Sequence, residues 1–354
     1  MNSAVLTEYG RIEYRSGPLP AAGAADLLVR VLATGVCGSD LATYRGAHPY
    51  KTAPVVLGHE LCGVVERAAG GFAVGDLVCA AAYAHCGSCD RCDRGLTNLC
   101  RGKRNLCHLG WQGSFAEYVT LRPSMTFALP PGLDPELGAL VEPLSIGLHA
   151  VRLAGPAAGR TLRVIGSGNI GLACLIAARR LGYARITCTD LGGEKGERAL
   201  ALGADAYADV LAPTAPTDPT DQTAPTDQTD QTDQTDQTAE ADVVVVAAGH
   251  PGALDEAMEA VRAGGTVIVV SFFDGPVPLA ANALVGREVT VIGSSLSTAA
   301  DFRTVISWLA AGEIDPRPMV THRFALADAA EAMRLMAEGR ATTGKIILTP
   351  RGDT

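Results

Sequence analysis

Apolar segments alternate with segments of helical periodicity from about residue 161 to about residue 294. TLRVIG, ARITCTD and ADVVVVAAG have the continuous apolar character of buried strands, while NIGLACLIAARRLG and GEKGERALALGA place apolar residues on one helical face. The alternation continues with PGALDEAMEAVRAG as a helix and with GTVIVVSF and EVTVIGSS as strands. Strands that alternate with amphipathic helices predict βαβ units. We therefore predict an α/β fold with a doubly wound parallel sheet over residues 149–290.

The rest of the 354 residues predicts a second domain. Up to about residue 145, segments such as Asp26–Ala33 and Gly63–Glu66 fit short strands that glycine or proline separates, so we expect strands and loops. After the parallel-sheet region come two helical patterns, ADFRTVISWLAAG and LADAAEAMRLMAEG, and a last strand, GKIILTP. We predict that residues 1–148 and 291–354 form one β-rich domain, which the chain leaves and then rejoins.

A low-complexity repeat interrupts the alternation at 213–238, where PTAPTDPTDQTAPTDQTDQTDQTDQT holds no aliphatic side chain larger than alanine and no aromatic one. Such a segment cannot bury a core, so we expect a disordered insert. Its six aspartates carry much of the net charge of −9, and −3 remains without them. This acidic balance argues against a nucleic-acid partner, since phosphate binding requires a basic face.

The first residues, MNSAVLTEYGRIEYR, lack a basic segment followed by an apolar one. The chain also lacks the run of about 18 apolar residues that a membrane-spanning helix needs. We therefore expect no signal peptide, no membrane partner and a cytoplasmic location.

Four of the ten cysteines lie in one segment, CGSCDRCDRGLTNLC, with the spacing C-x2-C-x2-C-x7-C: Cys86, Cys89, Cys92 and Cys100. The short gaps let a turn direct successive thiolates to one centre, and the longer gap lets the lobe 85–101 close a tetrahedron. Four sulfur ligands leave no open position, so we predict a structural zinc rather than disulfides. An iron–sulfur cluster is the alternative, but nothing else in the sequence indicates a redox partner.

A second set of metal-ligating residue types is spread along the chain: Cys37 in VCGSD, His59 and Glu60 in GHE, and Glu142 in VEPLSIGLHA. A thiolate, an imidazole and a carboxylate can bind zinc and leave one position open. Zinc of that kind acts as a Lewis acid that favours deprotonation of a bound alcohol. A single buried cysteine or histidine is usually a packing residue, so this interpretation depends on the other motifs of the chain.

A G-x-G-x-x-G motif lies between the predicted strand RVIG and the predicted helix NIGLACLIAARRLG, and it contains Gly166, Gly168, Ile170 and Gly171. Glycines at this spacing permit a tight turn and let the backbone approach a pyrophosphate, which then lies at the helix N-terminus. The context of strand, glycine turn and helix predicts a dinucleotide site.

The choice of dinucleotide depends on Asp190, which ends the next predicted strand, 19 residues after Gly171. A carboxylate there accepts hydrogen bonds from the ribose hydroxyls and repels a 2′-phosphate, so we predict NAD. Lys195 and Arg198 follow closely and leave NADP as the less favoured alternative.

The order of these motifs resembles the zinc-containing medium-chain dehydrogenases, and within them the polyol (sorbitol-type) branch. The resemblance rests on CGSD at 37–40, GHE at 58–60, the four-cysteine lobe, VEPLSIGLHA at 141–150 and GSGNIG at 166–171. It implies a GroES-like catalytic domain split around a Rossmann domain, and a homodimer or homotetramer. It also implies one structural zinc and one catalytic zinc.

By this resemblance, Cys37 and His59 bind the catalytic zinc, and either Glu60 or Glu142 supplies the carboxylate, with exchange between them as a further alternative. The resemblance also implies that Asp40 holds the far nitrogen of His59, and that Ser39 receives the alcohol proton.

Two positions depart from the family pattern. Ala42 stands where many relatives carry a histidine five residues after the first cysteine, so Thr43, Tyr44, His48 or water are the alternatives for the proton route. The segment GSSLST at 293–298 lacks the arginine of sorbitol-specific relatives, which favours another polyol, a cyclitol or a sugar alcohol.

We therefore expect a zinc-dependent enzyme that transfers hydride between a secondary alcohol, or the matching ketone, and NAD(P). The alternative is a relative that binds a dinucleotide and zinc without catalysing a reaction. The presence of Cys37, His59, Glu60 and Glu142 argues against that alternative, while Ala42 argues weakly for it.

Overall fold

The computed structural model describes residues 1–209, 240–340 and 342–350, so the predicted disorder of 213–238 lies outside the described residues. The chain divides into two units, one made of Met1–His149 and Ser295–Thr354, the other of Ala150–Ser294.

The described α-helices are α1 (Gly38–Tyr44), α2 (Asp90–Asp93), α3 (Pro135–Arg152), α4 (Asn169–Leu181), α5 (Gly193–Ala201), α6 (Ala253–Ala260), α7 (Ala281–Gly286), α8 (Ala299–Ala310) and α9 (Ala329–Glu338). The described strands are β1 (Asn2–Glu8), β2 (Arg11–Ser16), β3 (Leu27–Val36), β4 (Val55–Val56), β5 (Glu60–Arg67), β6 (Leu77–Ala80), β7 (Tyr83–Ala84), β8 (Arg104–Asn105), β9 (Tyr118–Leu121), β10 (Thr126–Ala128), β11 (Thr161–Ile165), β12 (Arg185–Asp190), β13 (Ala206–Asp209), β14 (Ala241–Val246), β15 (Val261–Val269), β16 (Thr290–Gly293), β17 (Val320–Ala325) and β18 (Lys345–Thr349).

A six-stranded sheet forms the centre of the unit Ala150–Ser294, in the order β13-β12-β11-β14-β15-β16. Every neighbouring pair is parallel. In the middle of the sheet, Val164 of β11 lies between Cys188 of β12 and Val245 of β14. Strands covered on both faces require continuous apolar runs, and Val243–Val246 are fully buried. The predicted doubly wound parallel sheet is confirmed.

One predicted helix of this unit is too long. PGALDEAMEAVRAG forms a helix only over Ala253–Ala260, and β15 begins at Val261. Val261 pairs with Ala241 ahead of a register shift in the β14–β15 ladder, so strand pairing prevails over the helical pattern there. A β-branched residue at this point favours the strand.

The other unit is built on a seven-stranded sheet in the order β10-β6-β5-β3-β18-β17, with β9 also paired to β3. The last strand, β18, lies antiparallel to β3, so the end of the chain completes this sheet. The expectation of strands and loops alone up to residue 145 is wrong, because α1 and α2 lie in this region and α3 begins at Pro135. α1 and α2 are too short for a periodic apolar face, and proline suits the first turn of α3.

Candidate active site

Three strand ends meet at one place in the seven-stranded sheet. β3 ends at Val36, directly before Cys37, and the β3–β5 register sets Gly35 opposite Glu60, the first residue of β5. The β18–β3 register sets Ile346 opposite Val36, which brings Lys345 to the same place. The sheet thus gathers residues that are far apart in the sequence.

A metal-ligating group forms at this meeting point. One ligand atom each of Cys37, His59 and Glu60 lies within 4.8 Å of the others. His59 and Glu60 are buried. Gly35 leaves the space for the carboxylate, since a Cβ at that position would collide with Glu60. A thiol, an imidazole and a carboxylate this close together fit the ligand types of a zinc site with an open position.

Asp40 orders the residues around this group. Cys37 caps α1, and its backbone N–H donates to Asp40 Oδ2 at 3.0 Å, while the N–H of Gly58 donates to Asp40 Oδ1 at 3.2 Å. His59 Nδ1 lies 3.6 Å from Asp40 Oδ1. Burial alone would raise the pKa of Asp40, but the nearby positive charges of His59 and Lys51 and the backbone hydrogen bond from Cys37 lower it to about 2. Asp40 is therefore a carboxylate directed at the rear nitrogen of His59.

The potential at His59 favours a cation. Burial opposes a charge on the ring, yet the negative charges of Asp40 and Cys37 outweigh it and raise the pKa of His59 well above its ordinary value. A site that holds a proton this firmly in a buried position is also one in which a metal cation is electrostatically stabilised. The negative potential at His59 thus agrees with a metal site made of Cys37, His59 and Glu60.

The two candidate carboxylates differ in their surroundings. Both oxygens of Glu60 accept hydrogen bonds from the ammonium of Lys345. Glu142 lies buried on α3, outside the group of three ligand atoms, but near enough for its charge to interact with those of Glu60 and His59. Burial is the main cause that raises the pKa of Glu142 to about 7; the charge of Glu60 adds to it, and His59 opposes it.

The predicted proton-route residues lie on α1 and in the loop that follows it. Ser39 is half-buried in the first turn. Thr43 Oγ1 donates to the Ser39 carbonyl at 2.8 Å, and the Tyr44 hydroxyl donates to the Gly10 carbonyl at 2.7 Å. His48 is half-buried, and its Nδ1 accepts a hydrogen bond from the backbone of Lys51 at 3.2 Å. The hydroxyls of Thr43 and Tyr44 are thus already engaged, which favours His48 or water.

Two buried lysines of this region, Lys345 and Lys51, were not predicted by any of the sequence motifs. Lys345 begins β18, and Lys51 lies just before the short strand β4. The only sequence signal for Lys345 was a cation at the start of an otherwise apolar strand, GKIILTP, and Lys51 in HPYKTAP had none.

The four cysteines of the lobe converge. Their sulfur atoms are separated by 3.9 Å (Cys86–Cys92), 3.6 Å (Cys89–Cys92), 3.9 Å (Cys89–Cys100) and 3.4 Å (Cys86–Cys100). Four thiolates bound to one zinc at about 2.3 Å span a tetrahedron with edges of about 3.8 Å. Hydrogen bonds, first from the Ser88 backbone and then from Cys100, lower the pKa of Cys86 to about 6, whereas burial and the neighbouring thiols raise the pKa of Cys92 to about 11. Without a metal the cluster therefore favours a thiolate at Cys86 but not at Cys92.

The glycine motif turns the chain from β11 into α4. Gly166 has a φ of +92°, in the left-handed region, and a Cβ there would lie 2.8 Å from the backbone nitrogen of Ala248. Gly168 caps α4, and a Cβ on Gly171 would collide with the carbonyl of Gly166. Ile170 lies half-buried in the first turn of the helix. The turn leaves free N–H groups at the helix start, as a pyrophosphate site requires.

Asp190 lies at the carboxyl end of β12, close to this turn. Its Oδ2 accepts hydrogen bonds from the backbone N–H of Ser167 at 2.7 Å and from the Ser167 hydroxyl at 3.2 Å. Its Oδ1 accepts from the backbone of Leu191 and from the ammonium of Lys195, each at 2.7 Å. Asp190 and Lys195, whose charges were expected to decide between NAD and NADP, therefore form one ion pair.

Comparison with known proteins extends these observations. The chain matches the family models for the alcohol dehydrogenase GroES-like domain over residues 23–131 and for zinc-binding dehydrogenase over residues 169–311. Sorbitol dehydrogenase from Bacillus subtilis (strain 168) is 28% identical, covering 99% of this chain and 97% of the relative. L-Idonate 5-dehydrogenase from Vitis vinifera is 31% identical, covering 91% and 87%.

Among solved structures, a zinc-binding dehydrogenase from Sinorhizobium meliloti 1021 bound to NADP matches with a TM-score of 0.85 and 30% identity, covering 99% of both chains. The likeness thus extends over both units. In the described part of the chain, no helix combines the length and apolar character needed to cross a bilayer.

Proposed function

The chain belongs to the zinc-containing medium-chain dehydrogenase family, in its polyol dehydrogenase branch, and from this membership we propose its reaction. The protein is a zinc-dependent oxidoreductase that transfers hydride between a secondary alcohol of a polyol, cyclitol or sugar alcohol and a nicotinamide dinucleotide. The group of Cys37, His59 and Glu60, with its three ligand atoms within 4.8 Å, is the observation that carries this proposal.

Cys37 and His59 would hold the catalytic zinc, together with a carboxylate from Glu60 or Glu142. A zinc ion bound there would supply a Lewis acid that stabilises negative charge on the alcohol oxygen. Because Lys345 binds both oxygens of Glu60, it competes with a metal for that carboxylate. Within the described part of the chain, Glu142 forms no ion pair of this kind, so both carboxylates stay in the proposal.

The protein's own part in the chemistry is to orient the ligands and to accept a proton. Asp40 lies behind His59, 3.6 Å from its Nδ1, where a small shift would let it orient the ring, and it ties the backbone of Cys37 to that of Gly58. Ser39 would receive the proton of the substrate hydroxyl and pass it on through His48 or water.

For the dinucleotide, we propose NAD, with the pyrophosphate at Gly166–Gly171 and the start of α4. Asp190 supports this choice because its carboxylate lies at the carboxyl end of β12, where a ribose would be recognised. The ion pair with Lys195 weakens the repulsion of a 2′-phosphate, so NADP stays the second candidate.

We further propose a structural zinc at Cys86, Cys89, Cys92 and Cys100, hence two zinc ions per chain. A cytoplasmic homodimer or homotetramer also belongs to the proposal. None of the ten cysteines is in a disulfide, which suits a reducing compartment.

The proposal is tested by incubating the zinc-loaded protein with NAD+ or NADP+ and a panel of polyols and cyclitols, with nicotinamide absorbance as the measurement. We expect reduction of NAD+ that is abolished by chelation and restored by added zinc. The result could instead be a protein that binds two zinc ions and a dinucleotide but turns over no member of the panel. If Cys37→Ser were then indistinguishable from wild type, a relative without catalytic activity would be favoured.

A further inference from the structure

One side chain binds both places where the chain passes between its two units. The chain leaves the first unit after His149 and returns to it at Ser295, and we call these two places the crossings. Asn98 of the four-cysteine lobe donates from Nδ2 to His149 Nε2 at 3.3 Å and to the Ser295 carbonyl at 2.8 Å. A single amide thus holds the last residue before the chain leaves and the first residue after it returns.

The chemistry of the two acceptors fixes the direction of these hydrogen bonds. A carbonyl oxygen can only accept, so the Asn98 nitrogen is the donor toward Ser295. Its second hydrogen is directed at His149, whose Nε2 must then accept, which places the ring proton on Nδ1. That Nδ1 donates to Asp301 Oδ2 at 2.9 Å, and the same oxygen accepts from the backbone N–H of Thr298 at 2.9 Å. The ring of His149 is therefore held at both nitrogens.

The four-cysteine lobe holds Asn98 in place. The residue is 3% exposed and lies in the short turn Thr97–Leu99, which leads directly into Cys100. Its backbone carbonyl accepts from the ammonium of Lys103 at 3.0 Å. Within the described residues, the buried Oδ1 of Asn98 accepts no hydrogen bond. Because an unsatisfied buried acceptor is costly, what the fold gains from this side chain are its two N–H donors.

The returning segment has a strained backbone between two hydrogen bonds. Leu296 has a φ of +55°, in the left-handed region that residues with a Cβ seldom adopt. Before it, the Ser295 carbonyl accepts from Asn98; after it, the Ser297 carbonyl accepts from the Tyr83 hydroxyl at 2.7 Å. Such a backbone persists only where its surroundings fix it, so the side chains that bind the two carbonyls determine the conformation of the segment.

We propose that Asn98 is a positioning residue for hydride transfer, because it fixes both crossings to the four-cysteine lobe. This inference rests on the proposed function. The proposed metal ligands and the proposed dinucleotide turn belong to different units, so the reaction depends on the two connections between them. The outgoing crossing lies within α3, the helix that carries Glu142. Crossings bound to one amide cannot shift independently, and a misplacement of about 1 Å can cost about 10²-fold in rate.

The test compares Asn98→Asp, which keeps the size of the side chain but removes both donors, with the control Arg91→Gln. Arg91 donates to the Leu99 carbonyl at 2.7 Å, so the control removes a hydrogen bond of the same lobe and leaves the Asn98 amide in place. Wild type and both variants are loaded with zinc and checked for fold and for two zinc ions per chain. Amide hydrogen exchange is measured in 149–152 and 295–298. NADH formation is measured in a single turnover with the best substrate of the polyol and cyclitol panel.

We expect exchange in Asn98→Asp to speed up by about tenfold or more in both segments together, while β11 stays as in wild type. The rate constant of the single turnover should fall about tenfold. A merely structural role would reduce the fraction of active protein, which lowers the amplitude of the turnover but not its rate constant. The affinity for NADH should stay within about threefold, since the glycine turn lies in the other unit. Arg91→Gln should match wild type in every measurement.

Acceleration of exchange in only one segment or in neither, or an unchanged rate constant, would overturn the inference. If wild type oxidises no panel member, the proposed function fails, and exchange alone decides whether Asn98 holds both crossings. If Asn98→Asp loses zinc or does not fold, Asn98→Ser takes its place, because it removes the amide without adding a charge. Should that variant fail as well, native-state exchange of wild type decides: crossings held by one amide should open with a common urea dependence, and two different dependences refute the inference.

Discussion

The Lys345 ammonium donates to both carboxylate oxygens of Glu60, at 2.8 and 2.6 Å, and each side chain is 1% exposed. The pair lies where β18 begins beside β3, so it connects the last strand of the chain to the metal-ligating group. Nζ of Lys345 also donates to the carbonyl of Val36 at 3.2 Å, one residue before Cys37. Lys345 thereby fixes both a candidate carboxylate ligand and the backbone next to Cys37, the candidate thiolate ligand.

Replacing Lys345 with methionine should destabilise the protein strongly. The change leaves the carboxylate of Glu60 buried without its cation, and removing one partner of a buried pair costs about 3–5 kcal/mol. The free energy of unfolding in urea, measured on chelator-treated protein, checks this value.

The matched control is the double variant Glu60→Gln/Lys345→Met, in which no unpaired charge remains. We expect it to recover part of the lost stability, because replacing both partners of a buried pair is often nearly neutral. A loss below about 1 kcal/mol in the single variant would mean that solvent reaches the pair despite its burial.

Ser39→Ala should reduce kcat by about 10²-fold or more without loss of zinc, since a positioned proton acceptor contributes about 10²–10⁴-fold. Thr43→Val is the control, because the Thr43 hydroxyl is already bonded to the Ser39 carbonyl and should not be needed for proton transfer. Steady-state kinetics and metal analysis of both variants make the comparison. An unchanged kcat in Ser39→Ala, or an equal fall in Thr43→Val, would contradict this role.

Asp190→Ser should shift the dinucleotide preference from NAD toward NADP. The change removes acceptors for the ribose and releases Lys195 from its ion pair, and hydrogen bonds to charged groups are worth about 1.5–3 kcal/mol. We expect the ratio of kcat/KM for NADP+ to that for NAD+ to rise about tenfold to 100-fold. Glu197→Gln, an exposed change of equal charge on α5, should leave the ratio unchanged.

Elements with strong local patterns could be predicted from the sequence, and the weaker ones could not. β14 ends in four consecutive valines, Val243–Val246, and α4 begins at a glycine turn, so both follow from the sequence alone. The end of α6 did not follow, because Val261 continues a helical pattern while its pairing with Ala241 belongs to the assembled sheet.

The candidate site shows the same division. Cys37, His59 and the four cysteines of the lobe lie in short contiguous motifs, so residue type and spacing were enough to predict them as zinc ligands. Lys345 takes its role from the pairing of β18 with β3, some 300 residues apart in sequence, and no local pattern encodes that pairing. Lys51 was missed for a related reason: burial of a lysine in a loop depends on tertiary packing, whereas sequence patterns favour solvent exposure for it.

Asp301 should stabilise the protein above its titration range. Its Oδ2 accepts from His149 Nδ1 at 2.9 Å and from the backbone and hydroxyl of Thr298 at 2.9 and 2.7 Å. Burial would raise the pKa, but these bonds lower it from 3.8 to about 2. A lowered carboxyl pKa contributes stability that is present above about pH 4 and lost as the pH falls toward 2, here about 2 kcal/mol at most.

Urea unfolding of Asp301→Asn and wild type across this range checks the prediction. The difference in stability should be largest near neutral pH and should shrink toward about pH 2. Thr298→Ala, which removes only the helix cap, should cost about 1 kcal/mol with a weaker pH dependence. A difference between Asp301→Asn and wild type that does not change with pH would rule out the carboxylate as the source.

Cys92→Ser should remove the structural zinc alone, lowering the content from about two zinc ions per chain to about one. Loss of this zinc should also loosen the segment 295–297. Asn98 in the lobe donates to the Ser295 carbonyl at 2.8 Å, and Tyr83 beside the lobe donates to the Ser297 carbonyl at 2.7 Å. Amide hydrogen exchange should therefore speed up in 295–297 but not in β11.

Cys174→Ala, a buried cysteine far from both clusters in sequence, is the control for thiol removal and should keep both zinc ions. If Cys92→Ser retained both zinc ions, the lobe would not be the metal site that its sulfur geometry indicates. If the zinc were lost but exchange in 295–297 did not change, the hydrogen bonds of Asn98 and Tyr83 would hold that segment without the metal.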